Sequence, residues 1–454
     1  MSELPKGWFE TTLGDVATWS SGGTPSRKNK DYYNGNIPWI KTGDLGAQYL
    51  EQASEYISDE GLKNSSAKLF PKNTVAIAMY GATIGKTSIL NFEATTNQAC
   101  GVAIPNASLS TVFLYYLLRN EKEGFIARGK GGAQPNISQT IIKEYSIWLP
   151  PLNEQIRIAN KLDSILAKVD KAQARLDKIP AILKRFRQSV LAAATSGELT
   201  KEWRESKDLH WEVTSFGKLI KNGPQNGIYK PSKLYGSGTK IIRIDGFYDG
   251  KLSPWESIKS VQLENDELAK WKLKVDDILI NRVNSIEYLG KCGHVDCLPE
   301  DAVFESNIMR VELDKSLANP LFIKHFLSSP IGLMRLRANA KHAVNQASIN
   351  QTDVKSVEIQ LPSIEEQKLI AELVEAFLDK ANKVEKQYLE AKSRLDRLTQ
   401  SILAKAFRGE LVPQDPNDEP AEKLLERILA EKEQSKPKKT TRKRTTKAKT
   451  AEKE

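Results

Sequence analysis

The second half of this chain repeats its first half at a constant offset of 212 residues. Residues 134–199 align without a gap to residues 346–411, and 25 of these 66 positions are identical. LPPLNEQ at 149–155 returns as LPSIEEQ at 361–367. A unit repeated once in this way predicts one fold used twice, with an internal pseudo-two-fold. A chain with that symmetry can address two similar targets at once.

Composition limits the classes of protein to which the chain can belong. Its 454 residues are enough for two or three domains, and 40% of them are hydrophobic. No apolar run approaches a membrane span, and the N-terminus lacks the features of a secretory signal. Cys100, Cys292 and Cys297 are a sparse, odd set that is typical of a reducing compartment, so we expect a cytoplasmic protein.

The positive charge is concentrated at the C-terminus. Residues 431–454 hold ten Lys/Arg and four Glu, which leaves them with +6 of the net charge of +10. Their Lys/Thr-rich composition predicts a disordered basic tail. Such a tail either touches nucleic-acid phosphates without sequence preference or serves only as a solvated segment, and both interpretations stay open.

Outside the ungapped stretch, the two copies share an order of elements more than a sequence. Buried strands are predicted at Val75–Tyr80 and around Val102–Ile104, and a short helix at Phe113–Asn120. In the second copy Ile278–Ile280 stands in the place of the first strand, and Phe322–Ser329 in that of the helix. Each copy therefore combines a variable α/β part with a better-preserved end, which suits two domains that read different ligands.

The preserved end of each copy predicts a long helix with coiled-coil heptads. Apolar residues recur every seven positions, with a second set three positions later, in both copies. Each helix should span about 40 residues, or roughly 60 Å. Because a whole α/β region lies between the helices, we expect antiparallel packing with one globular head at each end of the rod. The predicted coiled-coil core comprises Leu162, Ile165, Val169, Leu176, Leu183, Val190, Val374, Phe377, Val384, Leu395, Leu398 and Ile402.

Start and stop signals agree with these helices. Ser363 and Glu366 have the spacing of a capping box. Gly197 and Gly409, in the repeated SGEL and RGEL motifs, follow the last heptads, where a left-handed C-terminal cap is favoured. Pro180 removes one backbone donor inside the first helix, so a kink is expected there.

The segment GATIGKT at Gly81–Thr87 is similar to a phosphate-binding loop but is one residue short of it. Three residues separate its glycines, whereas a Walker A loop has four. The second copy keeps only LGK, with Lys291 at its end. A glycine turn between strands, with Lys86 and Lys291 directed at DNA, is the favoured interpretation, and a degenerate nucleotide site is the alternative.

Motifs for catalysis and metal binding are missing. Cys292, His294 and Cys297 lie close together, but a zinc site needs four ligands and the first copy has no counterpart. There is no dinucleotide GxGxxG between a strand and a helix, no NPPY-like run for adenine methylation, no HExxH and no nucleophile elbow. We therefore expect no metal site and no catalytic residues, and the chain is not expected to be an enzyme by itself.

Polar side chains suited to DNA recognition occur in both copies. Arg and Lys read guanine and contact phosphates, whereas Asn and Gln read adenine. For any single residue the alternative is a solvated surface charge. The candidates are Arg27, Lys28, Lys30, Lys41, Tyr80, Lys86, Arg128, Lys130 and Gln134 in the first copy, and Lys230, Lys240, Arg243, Arg282, Asn284, Lys291, Arg335, Arg337, Lys341 and Gln346 in the second.

Taken together, these motifs resemble the specificity subunits of type I restriction–modification systems over nearly the whole chain up to about residue 412. The resemblance is carried by the half-length repeat and by SGGTPSR at 21–27, IPWIKTGDL at 37–45, GATIGK at 81–86, NIS at 136–138, LPPLNEQ at 149–155 and SGEL at 196–199. The second copy departs from the pattern, since TKIIRIDGF at 239–247 replaces IPWIKTGDL and the GGTPS loop is absent. The departure predicts two different half-sites.

The resemblance implies an α/β (α+β) fold with an internal pseudo-two-fold, in which two α/β target recognition domains are separated by a long antiparallel two-helix coiled coil. The expected divisions are target recognition domains at 1–150 and 210–361, coiled-coil helices at 151–197 and 362–409, a linker at 198–209, and a C-terminal segment at 410–454 with the basic tail.

The resemblance also implies a role and partners. Each head would read one half of a bipartite, asymmetric sequence in double-stranded DNA, while the coiled coil sets the spacer. Two modification (methyltransferase) subunits and two restriction (endonuclease/translocase) subunits would bind, with no membrane involved. S-adenosylmethionine, ATP and Mg would belong to those partners, and the chain itself would hold no cofactor. An enzyme built on the 81–87 loop and a purely structural coiled-coil adaptor remain alternatives.

Overall fold

The structure, a computed structural model, describes residues 5–129, 136–247, 250–344 and 346–434. The chain forms two compact units: unit 1 comprises residues 1–174 and 392–454, and unit 2 comprises residues 175–391. Lys130, Gln134 and the predicted basic tail beyond residue 434 lie outside the described residues. Nowhere in these four ranges is a helix long and apolar enough to cross a membrane.

Short strands and helices make up the first stretch of the chain. Its strands are β1 (Phe9–Thr12), β2 (Ala17–Ser21), β3 (Ile37–Ile40), β4 (Tyr49–Leu50), β5 (Glu55–Ile57), β6 (Val75–Ala78), β7 (Thr87–Leu90), β8 (Thr95–Thr96), β9 (Cys100–Pro105) and β10 (Ser146–Leu149). Its helices are α1 (Leu13–Val16), α2 (Asp59–Lys63), α3 (Thr111–Asn120), α4 (Lys122–Arg128), α5 (Gln139–Lys143) and α6 (Leu152–Leu176).

The rest of the chain repeats this order. Its helices are α7 (Ile179–Ser196), α8 (Lys201–Ser206), α9 (Asn265–Trp271), α10 (Pro320–Ser328), α11 (Pro330–Arg337), α12 (Gln351–Lys355), α13 (Ile364–Ala406) and α14 (Ala421–Gln434). Its strands are β11 (Glu212–Ser215), β12 (Ile220–Asn226), β13 (Tyr235–Ile242), β14 (Ser260–Val261), β15 (Ile278–Asn281), β16 (Val283–Asn284), β17 (Cys292–His294), β18 (Ala302–Phe304), β19 (Ile308–Leu313), β20 (Lys341–Ala343), β21 (Gln346–Ser348) and β22 (Glu358–Leu361).

The sheets confirm that one fold is used twice. Unit 1 has a five-stranded sheet of order β2-β9-β6-β7-β4, a three-stranded sheet β5-β3-β8 and the pair β1-β10. Unit 2 has β12-β19-β15-β17, β14-β13-β18 and β11-β22 in the corresponding places. In each unit the central strand of the three-stranded sheet pairs parallel with one neighbour and antiparallel with the other. The third sheet of unit 2, β16-β21-β20, consists of the β20–β21 hairpin and the short strand β16, which pairs with β21.

The core of each head lies between its larger sheet and one helix that is buried over most of its length. In unit 1, Phe113 and Leu117 of α3 belong to the same buried cluster as Val75 and Ile77 of β6. In unit 2, Phe322 of α10 belongs to the same buried cluster as Ile278 and Ile280 of β15. Four consecutive buried residues in each central strand explain why these runs are apolar throughout instead of alternating. Replacing the fully buried Phe113 by Ala should cost about 3–5 kcal/mol of stability.

The first long helix differs from the prediction because it is divided. α6 ends at Leu176 and α7 begins at Ile179, with Pro180 in the first turn of α7. A proline ring clashes with the carbonyl four residues earlier, which here belongs to Leu176, and lacks the N–H that would bond it. The chain therefore ends one helix and starts another, and proline is well tolerated at the new start. α13 has no proline and runs unbroken over 43 residues.

The paired helices are antiparallel where unit 2 contains them. Arg187 near the middle of α7 bonds Glu385 of α13 at 2.7 Å, whereas Thr200, beyond the end of α7, bonds Glu366 near the start of α13 at 2.7 Å. Residue numbers thus rise along one helix as they fall along the other. The rings of Phe186 and Phe377 also meet, with centroids 6.3 Å apart.

The residues predicted to form the coiled-coil core, here called seam residues, are not equally buried. Leu162, Leu183, Val190 and Val374 are buried, and Ile165, Val169, Leu176, Phe377, Leu395 and Ile402 are half-buried. The prediction was wrong for Val384 and Leu398, whose exposed fractions are 43% and 48%. Two helices cover only one side of a seam residue, so full burial requires a third element. Leu162 has such cover, because it shares a cluster with α3 and the end of α13.

The helix ends follow the predicted caps in part. Gly197 and Gly409 adopt left-handed conformations with φ of 82° and 75°. The Ser363 hydroxyl accepts a hydrogen bond from the Glu366 backbone N–H at 3.2 Å, but the Glu366 carboxylate bonds other residues and completes no capping box. The predicted linker at 198–209 contains α8, and the C-terminal segment contains α14, which the sequence interpretation missed.

Candidate nucleic-acid interface

A buried glutamine fastens the first head to the start of its long helix. The Gln155 amide nitrogen donates to the backbone carbonyls of Ser108 and Pro150, both at 2.9 Å. Its amide oxygen accepts from the backbone N–H of Ser110 at 2.8 Å, and Ser110 caps α3. The start of α6 is therefore tied to the start of the central helix of the head.

Gln367 repeats this arrangement in unit 2. Its amide nitrogen donates to the carbonyls of Leu317 and Pro362 at 3.0 and 2.9 Å, and its amide oxygen accepts from the N–H of Asn319 at 2.8 Å. Asn319 caps α10 just as Ser110 caps α3. The repeated LPPLNEQ and LPSIEEQ motifs are thus preserved because their glutamines satisfy three backbone groups inside the protein.

The glutamate before each glutamine holds a tryptophan of the head. Trp8 donates from its indole nitrogen to Glu154 at 3.1 Å, and Trp211 donates to Glu366 at 3.0 Å. Burial raises the pKa of Glu154. Glu366 is fully buried and accepts two further bonds, from Thr200 and from Arg204 at 2.9 Å. These anchors position each head on its helices and leave the loop side of the head to vary.

A carboxylate on each long helix also meets the central helix of its head. In unit 1, Asp163 accepts from the Tyr116 hydroxyl at 2.5 Å. In unit 2, Glu375 occupies the matching position and lies 3.0 Å from Lys324 and 2.9 Å from His325. Hydrogen bonding to His325 and the charge of Lys324 hold the pKa of Glu375 well below its usual range, while burial lowers that of His325 to about 4. The contact is kept, although the partner of the carboxylate has changed from a neutral hydroxyl to a lysine and a histidine.

Two of the predicted DNA contacts of the first head share one carboxylate. Arg27 and Lys41 bond Glu55 at 2.7 and 2.6 Å, and the Lys41 hydrogen bond, followed by that of Arg27, lowers the pKa of Glu55. The Arg27 guanidinium also lies 4.1 Å from the centre of the Tyr33 ring and 5.0 Å from that of Trp39. Arg27 therefore holds the loop after β2 against the three-stranded sheet, and Lys41 ties the end of β3 to β5 within that sheet.

The 81–87 segment is a turn between antiparallel strands, as the favoured interpretation predicted. β6 and β7 pair directly, and the Ala78 N–H donates to the Lys86 carbonyl at 2.8 Å. No long helix follows the loop, so the aligned N–H groups that hold phosphates in a nucleotide site do not form here. Lys86 is exposed in this turn.

Most of the predicted cations of the second head are bound within the head. Lys230 pairs with Glu267 at 2.6 Å and Arg243 with Glu305 at 3.3 Å. Four further candidates donate to backbone carbonyls: Lys240 to Ile258, Arg282 to Ser306, Arg335 to Glu358, and Arg337 to Leu289. These side chains fasten loops, and sequence reasoning missed the carboxylates that pair with three of them, Lys230, Arg243 and Arg335.

Lys291 lies in the wall of a cavity of about 520 Å³ beside α7 and α13. Arg187, Lys251 and Lys324 share that wall, and Glu385 neutralises Arg187. The cations of this cavity are therefore grouped against the long helices.

Three other candidates are only partly held by contacts within the protein. Tyr80 is 36% exposed, and the Arg128 guanidinium stacks on Tyr145, 4.2 Å from the ring centre. The Asn284 side-chain oxygen accepts from the N–H of Ser285 at 2.8 Å.

Five candidates stand out because they are exposed and, in the described part of the chain, make no side-chain hydrogen bond or ion pair. They are Lys28, Lys30, Lys86, Lys341 and Gln346. Lys28 and Lys30 lie in the loop after β2, Lys86 in the β6–β7 turn, and the other two on the β20–β21 hairpin. Side chains in this state can exchange water for phosphates or base edges without breaking a contact within the protein.

The described ranges contain no group of three or more His, Cys, Asp or Glu that could hold a metal ion. Cys292 is buried and contacts the Gly290 carbonyl, His294 pairs with Asp276 at 3.0 Å, and Cys297 is exposed. Each member of the Cys/His cluster thus has a separate environment.

Two copies of one α/β head, each anchored to long helices and each with at least one exposed candidate lysine that has no side-chain partner in the described ranges, define a class of two-headed DNA-recognition proteins. A family profile described as the type I restriction modification DNA specificity domain matches residues 5–181 and 210–391. The StySPI specificity subunit of Salmonella potsdam is 33% identical over 460 residues, which cover 97% of this chain and 99% of that protein. The EcoKI specificity subunit of Escherichia coli is 32% identical over 465 residues, with 97% and 99% covered.

Solved structures agree on the fold. A chain from a structure concerned with complex assembly and conformational transition of the type I R-M system matches with a TM-score of 0.64 at 18% identity, covering 90% of this chain and all of that one. The HsdS subunit from Thermoanaerobacter tengcongensis matches with a TM-score of 0.52 at 18% identity, with 90% and 98% covered. The chain belongs to the type I restriction–modification DNA specificity family. The prediction of a specificity subunit, a DNA-recognition component without catalytic activity of its own, is confirmed.

Proposed function

We propose that each head reads one half of a bipartite, asymmetric DNA site and that the paired long helices set the number of base pairs between the halves. The observation that carries the proposal is the contrast within each head. The anchor of Glu, Gln and Trp recurs with the same geometry in both units, whereas the loop that carries Lys28 and Lys30 follows a GGTPS sequence that is absent from unit 2. A constant frame with different reading loops suits two different half-sites.

The partners are part of the proposal. Two modification subunits would bind the repeated helical frame, and two restriction subunits would join for cleavage. S-adenosylmethionine, ATP and Mg would bind those partners, and the methyltransferase would extrude the target adenine from the duplex at a cost of a few kcal/mol. The cytoplasm, where DNA is accessible, is the proposed compartment, and the buried, unpaired Cys100 and Cys292 suit its reducing conditions.

An exchange of heads tests this function. Residues 9–149, from β1 to β10, are replaced by the equivalent head of a relative with a different site, so that the anchor to α6 is kept. The assembled methyltransferase complex should then methylate a site in which one half has changed and the other half and the spacer have not. A site that is unchanged, or changed in both halves, would contradict independent reading by the heads.

The structural-adaptor alternative is tested in the same complex. An adaptor without DNA recognition would leave methylation without sequence preference at moderate salt, where non-specific binding weakens. The nucleotide-site alternative is tested by Lys86→Ala, which should have no effect on nucleotide binding if the 81–87 segment is only a turn.

A further inference from the structure

The β20–β21 hairpin of unit 2 is exposed along its outer strand and at its tip. Lys341, His342, Ala343 and Gln346 are all exposed, and Val344, which directly follows β20, is 92% exposed. β21 lies between β20 and β16, so the hairpin is supported on one side and open on the other. Regular backbone pairing gives this exposed segment a definite shape.

Two buried residues hold the base of the hairpin. Ala347 and Ile349 are each 2% exposed and belong to the main apolar cluster of unit 2. The Ile349 N–H also donates to the Arg282 carbonyl at 2.9 Å. The hairpin is therefore a firmly based projection, which is what a reading element requires.

The strand register sorts the side chains into two faces. Lys341 pairs with Ser348 and Ala343 with Gln346, so these four residues share one face, while His342 and the buried Ala347 share the other. The first face thus points away from the core of the head. It combines a lysine, a glutamine and two small residues, and residues 341–348 contain no carboxylate.

Val344 has no role in folding that would explain it. A side chain that is 92% exposed contributes almost nothing to the hydrophobic stabilisation of the head. An apolar side chain kept at such a place is suited to an apolar partner, and the thymine methyl group is the apolar feature that the major groove offers.

The size of the hairpin fits the same groove. From Lys341 to Val344 the strand advances about 10 Å, at roughly 3.3 Å per residue. The major groove admits a two-stranded ribbon and is about 8.5 Å deep. A hairpin that enters end-on would therefore keep Lys341 at the phosphate rim and bring Gln346 and Val344 to the base edges.

We propose that this hairpin is the major-groove reading element of the second head, in which Gln346 reads an adenine, Val344 contacts a neighbouring thymine methyl group and Lys341 binds a phosphate. The proposal rests on the function proposed above and names the reading residues of one half-site. All three residues lie in unit 2, so they would specify the half-site that the second head reads.

The test uses the full chain assembled with its methyltransferase subunits. Methylation rates are measured on duplexes that carry the cognate site and every single-base change in it. Gln346→Ala should relax discrimination at one adenine by roughly 5-fold to 150-fold, because a bidentate pair contributes that much. Val344→Ala should weaken the preference for thymine at an adjacent position by a smaller factor. Lys341→Ala should lower affinity evenly across sequences and reduce the salt slope by about 1.

Matched controls come from the same head. Gln262→Ala removes another exposed glutamine, and Leu317→Ala truncates another exposed apolar side chain, 46% exposed. Both should leave the base preferences unchanged. The thermal unfolding midpoints of all variants should match the wild type, since none of these side chains is buried.

The outcomes separate this proposal from the function on which it rests. A wild-type complex without any bipartite preference would overturn the proposed function itself. A wild-type complex with a bipartite site, combined with Gln346→Ala and Val344→Ala variants that keep full discrimination in both halves, would overturn only the hairpin assignment. Relaxation confined to one half-site by these two variants supports it.

Discussion

Removal of the Glu366 carboxylate should destabilise unit 2 more than removal of its counterpart Glu154 destabilises unit 1. Glu366 is fully buried and accepts hydrogen bonds from Thr200, Arg204 and Trp211. Glu366→Ala leaves three donors without their acceptor, one of them a largely buried guanidinium. The loss of one partner from such a buried pair costs about 3–5 kcal/mol.

The counterpart in unit 1 should cost less. Glu154 accepts one bond from Trp8, and its burial already raises its pKa, which means that its charge is poorly compensated. Glu154→Ala should therefore cost only about 1–2 kcal/mol, in the range of one lost hydrogen bond. Both variants remove the same methylenes from a buried site, so the comparison cancels the packing term. The expected difference between the two costs is about 1–4 kcal/mol.

Hydrogen–deuterium exchange of the full chain measures the two units separately. The backbone bonds between β11 and β22 report on unit 2, and those between β1 and β10 report on unit 1. Glu366→Ala should lower the opening free energy at β11–β22 and leave β1–β10 unchanged. Glu366→Gln, which keeps an acceptor oxygen but no charge, should lie between Glu366→Ala and the wild type. Equal losses for Glu154→Ala and Glu366→Ala would refute the reasoning.

Three further predictions concern titration, charge and helix continuity. Burial raises the pKa of Asp277 to about 6, so protonation of Asp277 favours the folded state below pH 3.8, and this contribution is lost as the pH rises to about 6. Asp277→Asn should remove this pH dependence of stability and stabilise unit 2 by up to about 3 kcal/mol at pH 7.5. Urea unfolding of the wild type and the variant at pH 3.8 and at pH 7.5 would show the difference. Lys86→Ala should weaken DNA binding evenly across sequences and reduce the salt slope by about 1, and a change in the preferred bases would contradict a phosphate role. Pro180→Ala should join α6 to α7 and slow amide exchange at 177–181, whereas unchanged exchange there would show that Pro180 does not cause the break.

The sequence predicted the parts of the fold that depend on local pattern. The apolar runs at 75–78 and 278–281 became central strands because a strand covered on both faces needs apolar residues throughout. The glycines at 197 and 409 ended helices in the left-handed conformation that they favour. The same fold in both units followed from the repeat.

The candidate site was predicted less well, because long-range pairs leave no trace in residue spacing. Arg27 and Lys41 are as basic as Lys28 and Lys30, yet only the first two meet Glu55. Likewise, Trp8 and Trp211 align at one offset, but the glutamates that bind them lie far along the chain. Val344 was missed because an apolar residue suggests a core until its exposure is known.

The same limit applies to the helices. The heptads predicted burial at Val384 and Leu398, but burial depends on what covers a seam from outside it. The amphipathic α14 was overlooked beside the basic tail, although its Leu425 is buried in the cluster of unit 1.

The composition of unit 1 from both ends of the chain determines when it can fold during synthesis. Unit 2 is one continuous segment and is complete once residue 391 has left the ribosome. Unit 1 needs Leu403 and Leu425 for its apolar cluster, and its Gly7 carbonyl accepts a hydrogen bond from the N–H of Ala421. The first head to be translated is therefore the second to be finished. A ribosome that pauses between residues 391 and 403 would hold a chain with only one finished head, which is a state exposed to aggregation and proteolysis.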